Sequence, residues 1–162
     1  MPITIKSERE IELMTEAGRI LGIVHKELEK ALKPGMSTLD IDALGEEVIR
    51  SYGCEPSFLN YNGYPASICV SVNDEIVHGI PSAKHLIKEG DIVSLDAGVI
   101  YKGYHSDAAR THAVGEVRPD LQKLIDVTRE SFFEGIKFAK AGNHLFDISG
   151  AIGRYAEERG YG

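Results

Sequence analysis

Asp96, in SLDAGVI, and Asp107, in YHSDAARTHAV, are two carboxylates on strand-like runs joined by the short turn Tyr101-Lys102-Gly103-Tyr104. Side chains alternate across a strand, so in an antiparallel hairpin centred on that turn residue 96 faces residue 107 or 109. In either register both aspartates point from one face, directly opposite or one diagonal step apart, and like charges so placed repel. A divalent cation would relieve that repulsion. Hard and borderline ions accept carboxylate oxygens, and paired ions about 3.5–4 Å apart share bridging carboxylates. Ser94 and Gly98 share the face with Asp96 and leave room for a ligand to approach. Taken alone, the spacing leaves a second reading open, in which both aspartates sit in solvent on an outward face.

The elements that must hold these residues are legible in outline. Ser7-Glu8-Arg9-Glu10 is a capping box. Ile11, Met14, Ala17, Ile20, Leu21, Val24, Leu28 and Leu32 then recur at helical spacing until Lys33-Pro34-Gly35 stops the helix. A second helix starts near Ser37 or Thr38, carries Ile41, Leu44 and Val48 inward, and ends at Gly53. Residues 54–67 read as an aromatic-rich loop. Strands are expected at Ile68–Val72 and Glu75–Ile80, paired as a hairpin across an Asn-Asp turn, and at Ile92–Ile100 and Tyr104–Val114 for the aspartate hairpin. A long helix follows from about Pro119 to Ala139, and a last one over roughly Phe146–Arg159.

Composition narrows the class. The chain has 162 residues, 43% hydrophobic and 27% charged, as expected for one soluble domain. A net charge of -7 argues against a nucleic-acid or anionic-membrane surface. No apolar run is long enough to span a membrane, and the charged N-terminus does not read as a signal peptide. Two cysteines, Cys54 and Cys69, make no disulfide framework, so a reducing cytoplasm is expected. No partner arrangement makes Cys69 a nucleophile.

A weak internal repeat is also present. Lys33-Pro34-Gly35, Asp40-Ile41 and Gly53 recur 107 positions later as Lys140-Ala141-Gly142, Asp147-Ile148 and Gly160. The helical segment 7–53 is thus echoed at 119–160, within one domain spanning 1–162. The alternative is two unrelated helical hairpins with similar caps.

VNDEIVHGIP at 72–81, EGDIVSLDAGVIYKGYHSDAARTHAVG at 89–115 and NYNGYPAS at 60–67 resemble the type I methionine aminopeptidases, of the pita-bread metallopeptidases. The resemblance runs through the chain in order and fits that group better than the proline-specific peptidases of the same fold. It implies an α+β fold, half of a pita-bread: an antiparallel sheet covered by helices, one repeat plus the opening helices of a second. It implies metal-dependent removal of N-terminal methionine from peptides and nascent proteins. Asp96 and Asp107 match the first two metal ligands, with Asp107 bridging. The cofactor would be two divalent ions in the complete enzyme, of manganese, iron, cobalt or zinc. His78 matches a substrate-contacting histidine, whereas the residues alone favour a solvated strand-end group over a polar reader beside a site. Tyr61, Tyr64 and Cys69, with Phe58 nearby, match the pocket for the methionine side chain, and a soft aromatic pocket suits a thioether. His25, His85, His105, His112 and His144 are left as structural or surface residues.

The sequence departs from that pattern in one respect. The family's remaining ligands, a histidine and two glutamates, belong to a second half beyond Gly162. This chain is therefore expected to resemble the N-terminal half, with weak or absent metal binding and impaired activity. The alternative is a non-catalytic half-pita-bread module. A homodimer covering the surface normally met by the second half is one expected remedy.

Overall fold

Ser7 begins the first helix, α1 (Glu8–Ala31), through a reciprocal cap. Its hydroxyl accepts the Glu10 N–H while the Glu10 carboxylate accepts the Ser7 N–H. The same device starts α2 (Thr38–Ser51), where Ser37 and Asp40 exchange the two bonds. Between the helices Gly35 takes a φ of +89°, a left-handed turn in which a side chain would be strained. These elements come from a computed structural model that describes residues 3–162, divided into two compact units, one up to Glu116 and one over Val117–Gly162.

The first unit is built on β3 (Ile92–Tyr101), which pairs along one edge with β4 (Tyr104–Ala113). Along its other edge it pairs with β2 (Ile68–Val72) and the two-residue β1 (Glu55–Pro56). All pairs are antiparallel. The β3–β4 turn is the two-residue Lys102-Gly103, both at positive φ, as the right-handed twist of a tight hairpin demands.

One face of this sheet is the core. Val93, Leu95, Ala97 and Val99 alternate along β3 and are fully buried with Ile68, Val70 and Val72 of β2. Against them pack Ala17, Ile20, Leu21, Val24 and Leu28, the apolar stripe of α1, together with Ile41 and Ile49 of α2. Gly45 lets α2 lie directly on the sheet, since an added Cβ would stand 2.4 Å from Ile68 Cγ1. The stripe's N-terminal members Ile11 and Met14 remain exposed.

The expected strand at Glu75–Ile80 does not form. The Glu75 carboxylate accepts the Val72 N–H at 2.8 Å, occupying the donor with which a hairpin ladder would open. His78 then takes a φ of +58°, which breaks the extended chain. The segment still returns beside β2, through the Val70 N–H bond to the Gly79 carbonyl at 3.0 Å.

In the second unit, α3 (Pro119–Ile136) starts on its proline, and α4 (Leu145–Glu157) starts on a cap between His144 and Asp147. The α3 helix stops at Ile136 rather than near Ala139, because Phe138 and Ala139 close shorter turns on Gly135 and Ile136. Gly135 meets Ile152 of α4, where a Cβ would approach to 2.5 Å. No helix among the described residues is long and apolar enough to cross a membrane.

Candidate metal centre

The β3–β4 register pairs Asp96 with Ala109 and Gly98 with Asp107. Of the two partners open to Asp96 on sequence grounds, Ala109 is the observed one, so the two aspartates are diagonal neighbours on one face. On the other edge Cys69 stands directly opposite Asp96. Cys69, Asp96 and Asp107 therefore form one band across three strands, on the face turned away from the core. Ser94 and Thr111, also paired, join their hydroxyls at 2.7 Å on the same face.

Asp96 is half-buried, and its Oδ1 is buried with no hydrogen-bond partner, whereas Asp107 is exposed. Burial, followed by the negative charge of Asp107, pushes the Asp96 carboxyl above its ordinary range; His78 acts in the opposite sense. A bare buried carboxylate oxygen is costly. An added positive charge beside it would lower that cost and the repulsion from Asp107 together. The pair thus fits part of the shell of an oxygen-seeking divalent cation. Among the described residues no group of three His, Cys, Asp or Glu side chains converges.

Gly98 shapes the same face. Its carbonyl accepts the Ser57 N–H at 3.0 Å, and a Cβ there would lie 2.8 Å from Ser57 Cβ and 2.9 Å from the Phe58 ring. Only glycine lets residues 57 and 58 lie over the strand next to Asp96 and Asp107. His105 reaches this corner, its Nδ1 3.2 Å from Ser57 Oγ.

The expected pocket residues take different positions. Cys69 is buried, and burial raises its thiol pKa, so it remains a neutral, soft surface. Tyr64 is half-buried; its hydroxyl lies 3.0 Å from the Gly79 carbonyl and 3.3 Å from that of Ile68, and its pKa is raised first by burial. Tyr61 stands 69% exposed on a single 3-10 turn, Tyr61–Gly63. His78 is exposed and within electrostatic reach of Asp96.

Two supporting residues escaped the sequence reading. Asp42, buried on α2, accepts the N–H groups of both Ser67 and Ile68 at 2.8 Å and so fixes the entry of β2. Ser71, buried on β2, accepts the Gly79 N–H. An aspartate beside the apolar Ile41 and Leu44 was the available signal for the first; a strand serine carries none.

The sequence profile of Metallopeptidase family M24 matches residues 12–162. This chain belongs to metallopeptidase family M24. M24 membership carries with it the use of a divalent metal. Within the family the chain is 52% identical over 160 residues to methionine aminopeptidase of Clostridium acetobutylicum, covering 99% of this chain and 64% of that protein. It is 48% identical to methionine aminopeptidase 1 of Bacillus subtilis, covering 96% and 62%. The crystal structure of methionine aminopeptidase from Thermotoga maritima superposes with a TM-score of 0.95 at 40% identity, covering 98% of this chain and 64% of that one. The α+β, half-pita-bread fold expected from the sequence is the one these M24 structures share. The chain spans about 64% of the length of the curated relatives it matches.

Proposed function

We propose that this M24 chain takes part in metal-dependent removal of N-terminal methionine from peptides, with Asp96 and Asp107 holding part of the metal site. The observation that carries this is the bare, buried Asp96 oxygen beside a second carboxylate one diagonal step away. When bound, the divalent ion supplies Lewis-acid polarisation of the scissile carbonyl. The chain's own residues do the rest. Asp96 and Asp107 fix the position of that charge on a rigid hairpin. His78, near Asp96, helps position the scissile amide and handle its proton. Phe58, Tyr61, Tyr64 and Cys69 receive the thioether side chain, and the neutral Cys69 thiol keeps that surface soft. Manganese, iron, cobalt and zinc all suit carboxylate oxygens. The cytoplasm is the proposed location, where the free thiols of Cys54 and Cys69 stay reduced.

The test is methionine release from a short Met-Gly peptide by the purified chain, with and without manganese or cobalt, against an Asp96→Ala, Asp107→Ala blank. Metal-dependent release absent from the blank supports the reading. Equal traces from both would leave a non-catalytic module of the same fold. Self-association through the surface that the second half of the longer relatives would meet is part of the proposal for an active species, and a strictly monomeric yet active chain would remove it.

The domain reading is extended in the same way. Gly35 and Gly142, and Gly53 and Gly160, are pairs 107 positions apart, and all four adopt positive φ. The caps Ser37–Asp40 and His144–Asp147 keep the same offset. These matched turns and caps support a repeated helix–turn–helix unit.

A further inference from the structure

His78 is a non-glycine residue at φ +58°. Such a conformation persists where the surroundings over-determine it. Here they act through the next residue. The Gly79 N–H donates to Ser71 Oγ at 3.1 Å, and the Gly79 carbonyl accepts the Val70 N–H at 3.0 Å and the Tyr64 hydroxyl at 3.0 Å. The backbone approach is so close that a Cβ on Gly79 would lie 2.2 Å from the Val70 carbonyl oxygen. Gly79 is thus gripped on both its polar groups, and two of the three grips are side-chain hydroxyls.

Those hydroxyls belong to the site face. Ser71 pairs with Ser94 and stands two positions from Cys69 on β2, itself opposite Asp96. Ser71 is 3% exposed, so its bond to Gly79 is made away from competing water. Tyr64 is one of the residues proposed to receive the thioether. One carbonyl, that of Gly79, therefore joins the proposed methionine pocket to the backbone of the proposed amide-handling histidine.

We propose that Ser71 is a positioning residue: with Tyr64 it clamps Gly79 and so holds His78 in its left-handed conformation. This rests on the proposed roles of His78 and Tyr64. It adds that side-chain recognition and placement of the histidine are one mechanical unit, anchored at a buried serine.

The test compares the wild-type chain with Ser71→Ala by amide hydrogen exchange and by the φ-dependent coupling of the His78 amide. Loss of one buried hydrogen bond should speed exchange at Gly79 about five- to tenfold. The His78 coupling should average away from its left-handed value. Amides of Val93 and Leu95 in the core should keep their protection, which distinguishes positioning from general destabilisation. Unchanged Gly79 exchange and His78 coupling in a folded Ser71→Ala would overturn the proposal. Should that variant not fold, the wild-type chain decides: a Gly79 amide exchanging as fast as that of the exposed Ile76 overturns it, and strong protection at Gly79 with a fixed His78 coupling supports it. With Met-Gly peptide, Ser71→Ala should lower kcat between about 10-fold and 100-fold with little change in KM. A change in KM alone would overturn the positioning role. A wild-type chain that releases no methionine would defeat the proposed function instead, and the exchange and coupling data would still decide whether Ser71 holds His78.

Discussion

Asp96 concentrates the conflict in this molecule. It keeps a carboxylate half out of water, leaves one oxygen without a donor and faces a second carboxylate. Removing the charge without changing the shape should help the metal-free protein. Asp96→Asn is expected to raise the thermal midpoint by about 2–4 °C, the equivalent of about 1 kcal/mol in a chain of this size. The same variant should lose the stabilisation that manganese gives the wild type, which follows mass action on the folded state. Paired melts with and without manganese check both; a manganese shift that survives in Asp96→Asn would place the ion elsewhere. Two histidines set the response to acid. The His25 Nε2–H donates to the Ala108 carbonyl, leaving Nδ1 a buried acceptor with no donor, and His112 Nε2 is likewise unpartnered. Burial holds both below the ordinary histidine value of 6.5, with Glu29 opposing and Arg110 adding to the effect. The unfolded chain therefore takes up these protons first as pH falls. Their contribution is fully present above pH 6.5 and is lost as pH drops from there through the folded-state values. The raised Asp96 carboxyl works in the opposite sense, so the histidine part is read by difference: between about pH 7.5 and 5.5, urea titrations should show less loss of stability in His112→Gln than in the wild type.

At the scale of elements, close approach replaces side-chain volume at three glycines. Gly45 seats α2 on Ile68, Gly98 admits Ser57 and Phe58 over β3, and Gly79 lies against Val70. Gly45→Ala should cost about 1–3 kcal/mol, the range for overpacking a core. Ile68→Val in the same chain should recover part of it, because Ile68 Cδ1 is one of the two clashing atoms; chemical denaturation of the single and double variants measures this. The β3–β4 turn offers the opposite case. Lys102 adopts φ +49° before Gly103, a position that Asn tolerates better than a long side chain. Lys102→Asn is expected to stabilise the hairpin by about 0.5 kcal/mol. The aspartate hairpin was legible because alternation and a Gly-containing turn fix its face. The 75–80 segment was misread because its alternation resembles a strand, while the decisive events, a Glu75 carboxylate on the Val72 N–H and a left-handed His78, leave no trace in hydrophobic pattern.

For the whole molecule, the sheet divides its labour between faces. One face, built of Val93, Leu95, Ala97 and Val99, holds the fold; the other carries Cys69, Ser71, Ser94, Asp96 and Asp107, the polar residues of the candidate site. Substitutions on the two faces should therefore separate. Leu95→Ala should cost about 2–5 kcal/mol and lower every activity in step with the folded fraction. Asp107→Ala should leave the urea midpoint unchanged or slightly raised, because it relieves the repulsion on Asp96, while abolishing manganese-dependent effects. Exposure of Asp107 and burial of Leu95 make that contrast readable from denaturation curves alone.

By itself the sequence determined the capped helix α1, the helix α2, the aspartate hairpin and the two carboxylates, because caps, periodicity and strand alternation are local and are written in residue types. It also carried enough motif to point to the family. Only the tertiary structure decided that Asp96 pairs with Ala109 rather than Asp107, that Cys69 stands opposite Asp96, and that Ser71, Tyr64 and Gly79 meet beside His78. Those are contacts between segments separated in the chain. Their geometry follows from register, close backbone approach and burial, which no single stretch of sequence encodes.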